Sequence, residues 1–407
     1  MLLEFWENFR HNLFKPLLLF FYLGFFIPIL KVQFEFPYVI YQGVTMYLLL
    51  AIGWKGGEEL ATIHVGSISS IVGFIVVGFL LNFLIGFIAY MLLTRMTKMR
   101  RIDRATVAGY YGSDSAGTFA TCIGVLATVG MAFNGFMSVM LAVMEMPGCL
   151  VALYLAARLR HKGMDELGNM PGEPGYTLQA RVGPGAATRP ASGQRLDNER
   201  ELAIEQETEI ALELRTHAGD GVDLDDTTAG ARTVKLLREV LLNPGLYLLF
   251  GGIVIGLVSR LQGMKVVHDN DKVFVAAFQG VLCLFLLEMG MTAARRLKDL
   301  KSAGPGFIAF GLLAPNVFAT MGLIVAHAYA HFSHAHFEPG TYVLFAVLCG
   351  ASSYIAVPAV QRLAIPEASP TLPLAASLGL TFSYNVTIGI PVYIEISRAI
   401  SHWVPGT

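Results

Sequence analysis

The stretch Gly66–Arg104, GSISSIVGFIVVGFLLNFLIGFIAYMLLTRMTKMRRIDR, decides how the rest of the chain is read. Residues 66–94 hold no charged side chain, and Arg95, Lys98, Arg100, Arg101 and Arg104 then follow in close succession. A helix needs about 20 mainly apolar residues to cross the hydrocarbon core of a bilayer, and basic residues collect on the cytoplasmic side of such a crossing. The stretch predicts a transmembrane helix that ends in a cytoplasmic connection. Composition agrees, because only 14% of the 407 residues are charged while 54% are hydrophobic. A soluble domain carries about 25% charge, so this chain lacks the polar surface to face water on all sides. Mean hydropathy is +0.57, and no basic domain exists that would point to nucleic acid.

Working outward, further spans fall near 14–33, 36–53, 103–130 and 134–159, and a second set near 239–260, 272–293, 304–329, 340–364 and 371–400. No small-residue cleavage site follows the first of these, which reads as a retained helix and not a signal peptide. With ten spans and both termini outside, Arg158, Arg160 and Lys162 leave the fifth span on the cytoplasmic side, as do Arg295, Arg296, Lys298 and Lys301 after the seventh. The connection His331–Gly340 has neither Lys nor Arg, as an outside loop should. Between the two sets, residues 161–236 are rich in Gly, Pro, Glu and Asp and read as a largely flexible cytoplasmic linker. Within it, Leu196–His217 has helical apolar spacing with acidic flanks, fitting a solvated helix or a surface for a regulator. The domain reading is 1–160, the linker 161–236, and 237–407.

The two halves resemble each other. LLLAIGWKGGEEL at 48–60 parallels FLLEMGMTAARRL at 285–297, and Lys15-Pro16-Leu17 parallels Asn243-Pro244-Gly245. Gly112-Ser113-Asp114-Ser115 in the fourth span parallels Gly350-Ala351-Ser352-Ser353 in the ninth, and Pro147 in the fifth parallels Pro391 in the tenth. An odd number of spans per half turns the second copy upside down. Inverted repeats of this kind characterise secondary transporters, whose substrate sits at the midplane where corresponding helices break.

Both clusters resist helix. Gly109–Thr118 (GYYGSDSAGT) combines glycines with residues that compete for backbone hydrogen bonds. In Cys349–Pro358 (CGASSYIAVP), Pro358 lacks an N–H and clashes with the carbonyl of Tyr354. A broken helix inside a membrane is tolerated only where it lines a protected cavity, and the N-terminus of its second half favours an anion. Gly112, Ser113, Ser115, Thr118, Gly350, Ser352 and Ser353 are therefore the candidate anion-binding set. For any single serine, hydrogen bonding between packed helices is the plainer explanation. Carboxylates inside a membrane are costly and usually functional. Asp114, in the first break, and Glu145, two residues before Pro147, are candidates to hold Na⁺ or to carry a proton, with Ser352 as a further oxygen ligand. Glu288 reads as an inter-helix or gate contact, and Glu395 as a side chain snorkelling to the outer surface. His327, His331, His334 and His336 have partial metal-like spacing and read by default as solvated, with a weak metal or pH-sensing site as the alternative. Cys122, Cys149, Cys283 and Cys349 lie in apolar stretches without metal-ligand spacing and read as small buried hydrophobes.

Five stretches in order, GYYGSDSAGTFA at 109–120, MEMP at 144–147, LEMGMTAARRL at 287–297, LLAP at 312–315 and GASSYIAVPAVQRLAIP at 350–366, resemble the sodium-dependent bicarbonate transporter family best known from cyanobacteria. The resemblance covers Phe14–Leu159 and Leu237–Ile400. It implies ten helices in inverted halves, with a core domain (spans three to five and eight to ten) moving against a gate domain. It also implies an anion held between the fourth and ninth helices, uptake driven by sodium into the bacterial inner membrane's cytoplasmic side, and a trimer. Cyanobacterial members are controlled by a small cytoplasmic protein resembling PII, which makes such a regulator an expected partner. Ser115 and Thr118 match the serine and threonine of the family's first break, Ser352 and Ser353 the serines of the second, and Glu145 an acid before the fifth-span proline. The family pattern has Ser-Ser-Ser-Asp in the ninth helix, where this chain has Ala351-Ser352-Ser353-Tyr354. The acid is absent at Tyr354 and Asp114 stands in the other break, so the carboxylate is expected to have moved between symmetry-related sites. A proton-coupled or uncoupled transporter of another small anion is the competing expectation. An enzyme would need a nucleophile with a base in reach, yet the midplane has no histidine and the chain no H-E-x-x-H or G-x-S-x-G. A sensor built on a transporter fold is the remaining alternative.

Overall fold

Apolar runs interrupted by Gly and Pro become helices in a computed structural model of the chain, and among the described residues there is no strand. The structure describes residues 14–63, 65–177, 244–297, 299–302, 304–354, 357–358, 361 and 364–403. The Leu196–His217 helix expected in the linker lies outside them.

The helices are α1 Pro16–Ile29, α2 Tyr38–Leu60, α3 Ile68–Met96, α4 Arg101–Tyr111, α5 Ala116–Val129, α6 Met137–Met144 and α7 Met146–His161. After the linker come α8 Pro244–Gln262, α9 Met264–Phe274, α10 Phe278–Arg296, α11 Pro305–Ser333 and α12 Pro339–Gly350. The last helical run begins as α13 Thr371–Leu374, passes through two π-helical stretches, Ala375–Phe382 and Asn385–Gly389, and ends as α14 Ile390–Trp403. Five stretches are long and apolar enough to cross a membrane: Ile68–Met96, Met137–His161, Pro244–Gln262, Met264–Arg296 (through its turn at 275–277) and Pro305–Ser333. The apolar helices Pro16–Ile29 and Pro339–Gly350 are shorter. The expected fourth span is divided into two helices, α4 of 11 residues and α5 of 14, with Gly112–Ser115 between them.

Helix pairs approach closely where glycine removes the side chain. At Gly24 of α1 an added Cβ would meet the Leu287 carbonyl of α10, and at Gly290 of α10 it would meet that of Phe21. The contact is reciprocal, so neither helix tolerates a side chain at the crossing. α2 and α8 pack in the same manner at Gly53 and Gly252. Lipid tails are as apolar as leucine, so such close backbone packing, and not apolar burial, drives helices together in a bilayer.

The start of the expected linker is ordered. α7 runs to His161, and residues up to Tyr176 fold back against the α4 N-terminus. Arg100 grips Asp103 through Nε and Nη2 (2.8 and 3.0 Å) and donates to the Leu167 carbonyl (2.8 Å). The Glu173 carboxylate accepts from the Arg101 and Met170 N–H groups (2.9 and 2.8 Å), and Asp103 in turn accepts from the Ser369 N–H at 2.8 Å. The carboxylate beside it holds the Arg100 guanidinium above its ordinary pKa.

Candidate functional site

The Gly112–Ser115 gap follows from local chemistry. α4 closes with the Gly112 N–H donating to the Ala108 carbonyl (2.9 Å), and Ser115, with extended backbone, caps α5. Its Oγ accepts from the Thr118 N–H (3.3 Å) and from the Thr118 hydroxyl (3.0 Å). Thr118 thus commits its proton to Ser115. Ser113 is committed elsewhere: its hydroxyl donates to the Glu145 carbonyl at 2.7 Å. Glu145 sits at the joint between α6 and α7, ahead of Pro147. A second side chain serves that joint, with Asn82 of α3 donating to the Met144 carbonyl at 3.1 Å.

The second break begins where α12 ends, at Gly350, and residues 351–354 are non-helical. Its backbone lies against the end of α4, with the Ser353 N–H donating to the Tyr110 carbonyl at 2.9 Å. The two breaks therefore touch. Ser352 pairs with Ser377 (2.6 Å), and the Gly350 carbonyl accepts from Asn385 (2.9 Å). Tyr354 brings its hydroxyl onto the first turn of α5, where a Cβ on Gly117 would collide with it. The ring is held edge-on by Phe382, 5.9 Å between centroids.

Buried polar atoms without a hydrogen-bond partner gather around this junction: both carboxylate oxygens of Asp114, the Ser353 Oγ and the Asn82 Oδ1. Asp114 is fully buried and lies in the gap between α4 and α5. Glu145 is 8% exposed. An orphaned buried polar group is rare and costly. A cluster mixing two unmatched carboxylate oxygens with an unmatched hydroxyl suits a small ion pair better than a packed core.

Sequence reasoning singled out Gly112, Ser113, Asp114, Ser115, Thr118, Glu145, Gly350, Ser352 and Ser353, and the fold brings these together. It missed Asn82, Tyr110, Tyr111, Ser377, Thr381 and Asn385. The last three recur every fourth position in an apolar run, a period that reads as one polar helix face. Other expectations are corrected. His327 is not solvated: it is 2% exposed and stacks on Tyr342, with ring centroids 4.0 Å apart. The histidine spacing gathers no metal cluster, since among the described residues no three of His, Cys, Asp and Glu converge. Separately, Glu288 accepts from Thr292 of its own helix at 3.0 Å, and Glu395 pairs with Arg398 at 2.7 Å. Cys122, Cys149 and Cys349 are buried and Cys283 is half-buried.

A family model described as the Na⁺-dependent bicarbonate transporter superfamily matches residues 16–398, nearly the full length of the chain. A search of curated proteins gives no match. The broken, polar-lined helix junction and the end-to-end family match lead to one conclusion: the chain belongs to the Na⁺-dependent bicarbonate transporter superfamily.

Proposed function

We propose that this protein imports bicarbonate by cation-coupled alternating access, with the anion held where the two helix breaks meet. The family is one of transporters, which removes the enzyme reading. The observation that carries the placement is the junction itself: Ser353 N–H on the Tyr110 carbonyl, with orphaned Asp114 and Ser353 atoms beside it. On this reading the first N–H groups of α5, which an α-helix leaves without intrahelical acceptors, face the anion together with the Ser115 and Ser353 hydroxyls. Gly112 and Gly350 make room for the Gly86 backbone and the Pro315 carbonyl packed against them, Ser113 and Thr118 brace the site, and Ser352 offers a further hydroxyl to the anion. Na⁺ is taken as co-substrate by Asp114 and Glu145, whose oxygens are the hard ligands that such a cation prefers, with Ser352 within the same junction.

Packing supports the inverted-repeat reading. α1 pairs with α10 and α2 with α8, which is what exchanging spans one and two for six and seven produces. The pairs α3–α4 and α11–α12, and α4–α7 and α12–α14, correspond in the same way. Both α1 and α8 begin at a proline, Pro16 and Pro244. The same proposal takes ten spans in two domains, with α1, α2, α8 and α10 as gate and the break-bearing helices as a core that slides against it. The contacts that join Arg100, Leu167, Arg160 and Glu367 at one end of the molecule support a common cytoplasmic side for the basic connections. A bacterial inner-membrane location with outer termini, a homotrimer and a PII-like partner for the 161–236 linker belong to the same proposal. The test is uptake of labelled bicarbonate into proteoliposomes with and without an inward Na⁺ gradient. Uptake that ignores Na⁺ removes the coupling; no uptake in either condition removes the substrate.

A further inference from the structure

Ser377, Thr381 and Asn385 form a fully buried polar face along the π-helical part of the last helical run. Each rung satisfies a different break. Thr381 donates to the Gly311 carbonyl at 3.0 Å. That carbonyl lacks its helical partner, because the residue four positions on is Pro315, which has no N–H. With the Thr381 proton so committed, the 2.6 Å contact between Thr381 and Tyr111 is donated by Tyr111, the last residue of α4 before the first break. Asn385 donates to the Gly350 carbonyl at 2.9 Å, which the end of α12 leaves open, and accepts from the Tyr393 hydroxyl at 2.7 Å. Two rungs are thereby fixed from both sides, and they set the rotation of the helix that carries the third.

That third rung is Ser377, whose Oγ lies 2.6 Å from the Ser352 Oγ. One proton sits between the two oxygens. If Ser377 gives it, the Ser352 proton is left to point into the gap between the breaks; if Ser352 gives it, only a lone pair faces that gap. An anion in the gap favours the first arrangement, because Ser352 then accepts from Ser377 and donates to the anion, and hydrogen bonds in such a chain reinforce each other. Thr381 and Asn385 hold Ser377 in the one register where this relay forms. π-Helical segments, rare elsewhere, recur at functional sites.

We propose that Ser377 is a positioning residue for the anion: it receives no substrate contact and acts by aligning the Ser352 hydroxyl as a donor. The inference rests on the anion lying between the breaks. The experiment is bicarbonate uptake in proteoliposomes for wild type, Ser377→Ala, Ser377→Thr, Ser352→Ala and the double variant Ser352→Ala/Ser377→Ala. Ser377→Ala is expected to raise the half-saturation concentration for bicarbonate about three- to tenfold, the size of one oriented hydrogen bond, at unchanged maximal rate. Ser377→Thr restores it. On the Ser352→Ala background, Ser377→Ala adds nothing, because the two act as one unit. If Ser377→Ala inserts poorly, Ser377→Cys keeps the volume with a weaker hydrogen-bonding group and shifts half-saturation in the same direction. Unchanged half-saturation in the Ser377 variants, a loss confined to maximal rate, or independent effects in the double variant overturns the proposal. If instead Ser352→Ala and Ser353→Ala themselves leave half-saturation untouched, the placement of the anion fails first, and Ser377 loses its role with it.

Discussion

Replacing Asp114 with Asn tests the charge at the centre of the site. The side chain is fully buried and neither oxygen meets a donor, so nothing in the protein competes with a cation for them. A carboxylate oxygen at about 2.4 Å from Na⁺, at an effective dielectric of about 20, gives a gross attraction of about 7 kcal/mol. Stripping water from both ions cancels most of it, and a surviving share of about 1.4–2.8 kcal/mol corresponds to about 10- to 100-fold in affinity. Asn keeps the shape and removes the charge. Half-saturation for Na⁺ in bicarbonate uptake is therefore expected to rise by that factor. Thermal unfolding in detergent gives an independent readout, since a ligand at 100 times its Kd stabilises by about 2.7 kcal/mol. Wild type should melt higher as Na⁺ is added in place of a large inert cation, and Asp114→Asn should not. With Na⁺ absent the variant should melt above wild type, because it no longer buries an unpaired carboxylate. Uptake and melting that keep their full Na⁺ response in Asp114→Asn refute the assignment of this carboxylate to the cation.

Two further outcomes follow from contacts around the site. Gly117→Ala drives a methyl into the Tyr354 hydroxyl and to 2.8 Å from the Phe285 ring, an overpacking of about 1–3 kcal/mol that should lower both melting temperature and uptake; adding Tyr354→Phe should return part of each, and no rescue at all would mean Tyr354 does not sit over α5. Arg100→Lys trades the two-pronged grip on Asp103 for a single point charge. Since Arg100 is one-third exposed, the expected loss is about 1 kcal/mol, read as earlier proteolytic cleavage near residues 163–176, and cleavage at the wild-type rate would contradict the docking of that segment.

Membrane class, helical fold and the positions of both breaks were legible in the sequence, because each depends on local facts. Uncharged runs of about 20 residues cannot stay in water, and the clusters Gly112–Ser115 and Gly350–Ser353 are poor helix formers wherever they occur. The length of a helix was less legible: α1 ends at Ile29, just ahead of Lys31 in the left-handed region, and α12 ends at Gly350, both short of their expected spans. The contacts of residues 162–176 were not legible, because Glu173, Asn169 and Leu167 find partners at the start of α4 and within their own turn that composition does not reveal.

What only the tertiary structure decided is the division of labour within the serine clusters. From sequence, Ser113, Ser115, Ser352 and Ser353 are equivalent hydroxyls. In the fold, Ser113 braces Glu145, Ser115 caps α5, Ser352 leans on Ser377, and Ser353 alone has an oxygen with no partner. A hydroxyl's role depends on where its one proton goes, and that is set by neighbours 32, 3 and 25 positions away for Ser113, Ser115 and Ser352. The chain's own order of residues dictates that helices break at these two places; packing against α3, α7 and the last helical run dictates which polar atoms are left without partners at the breaks.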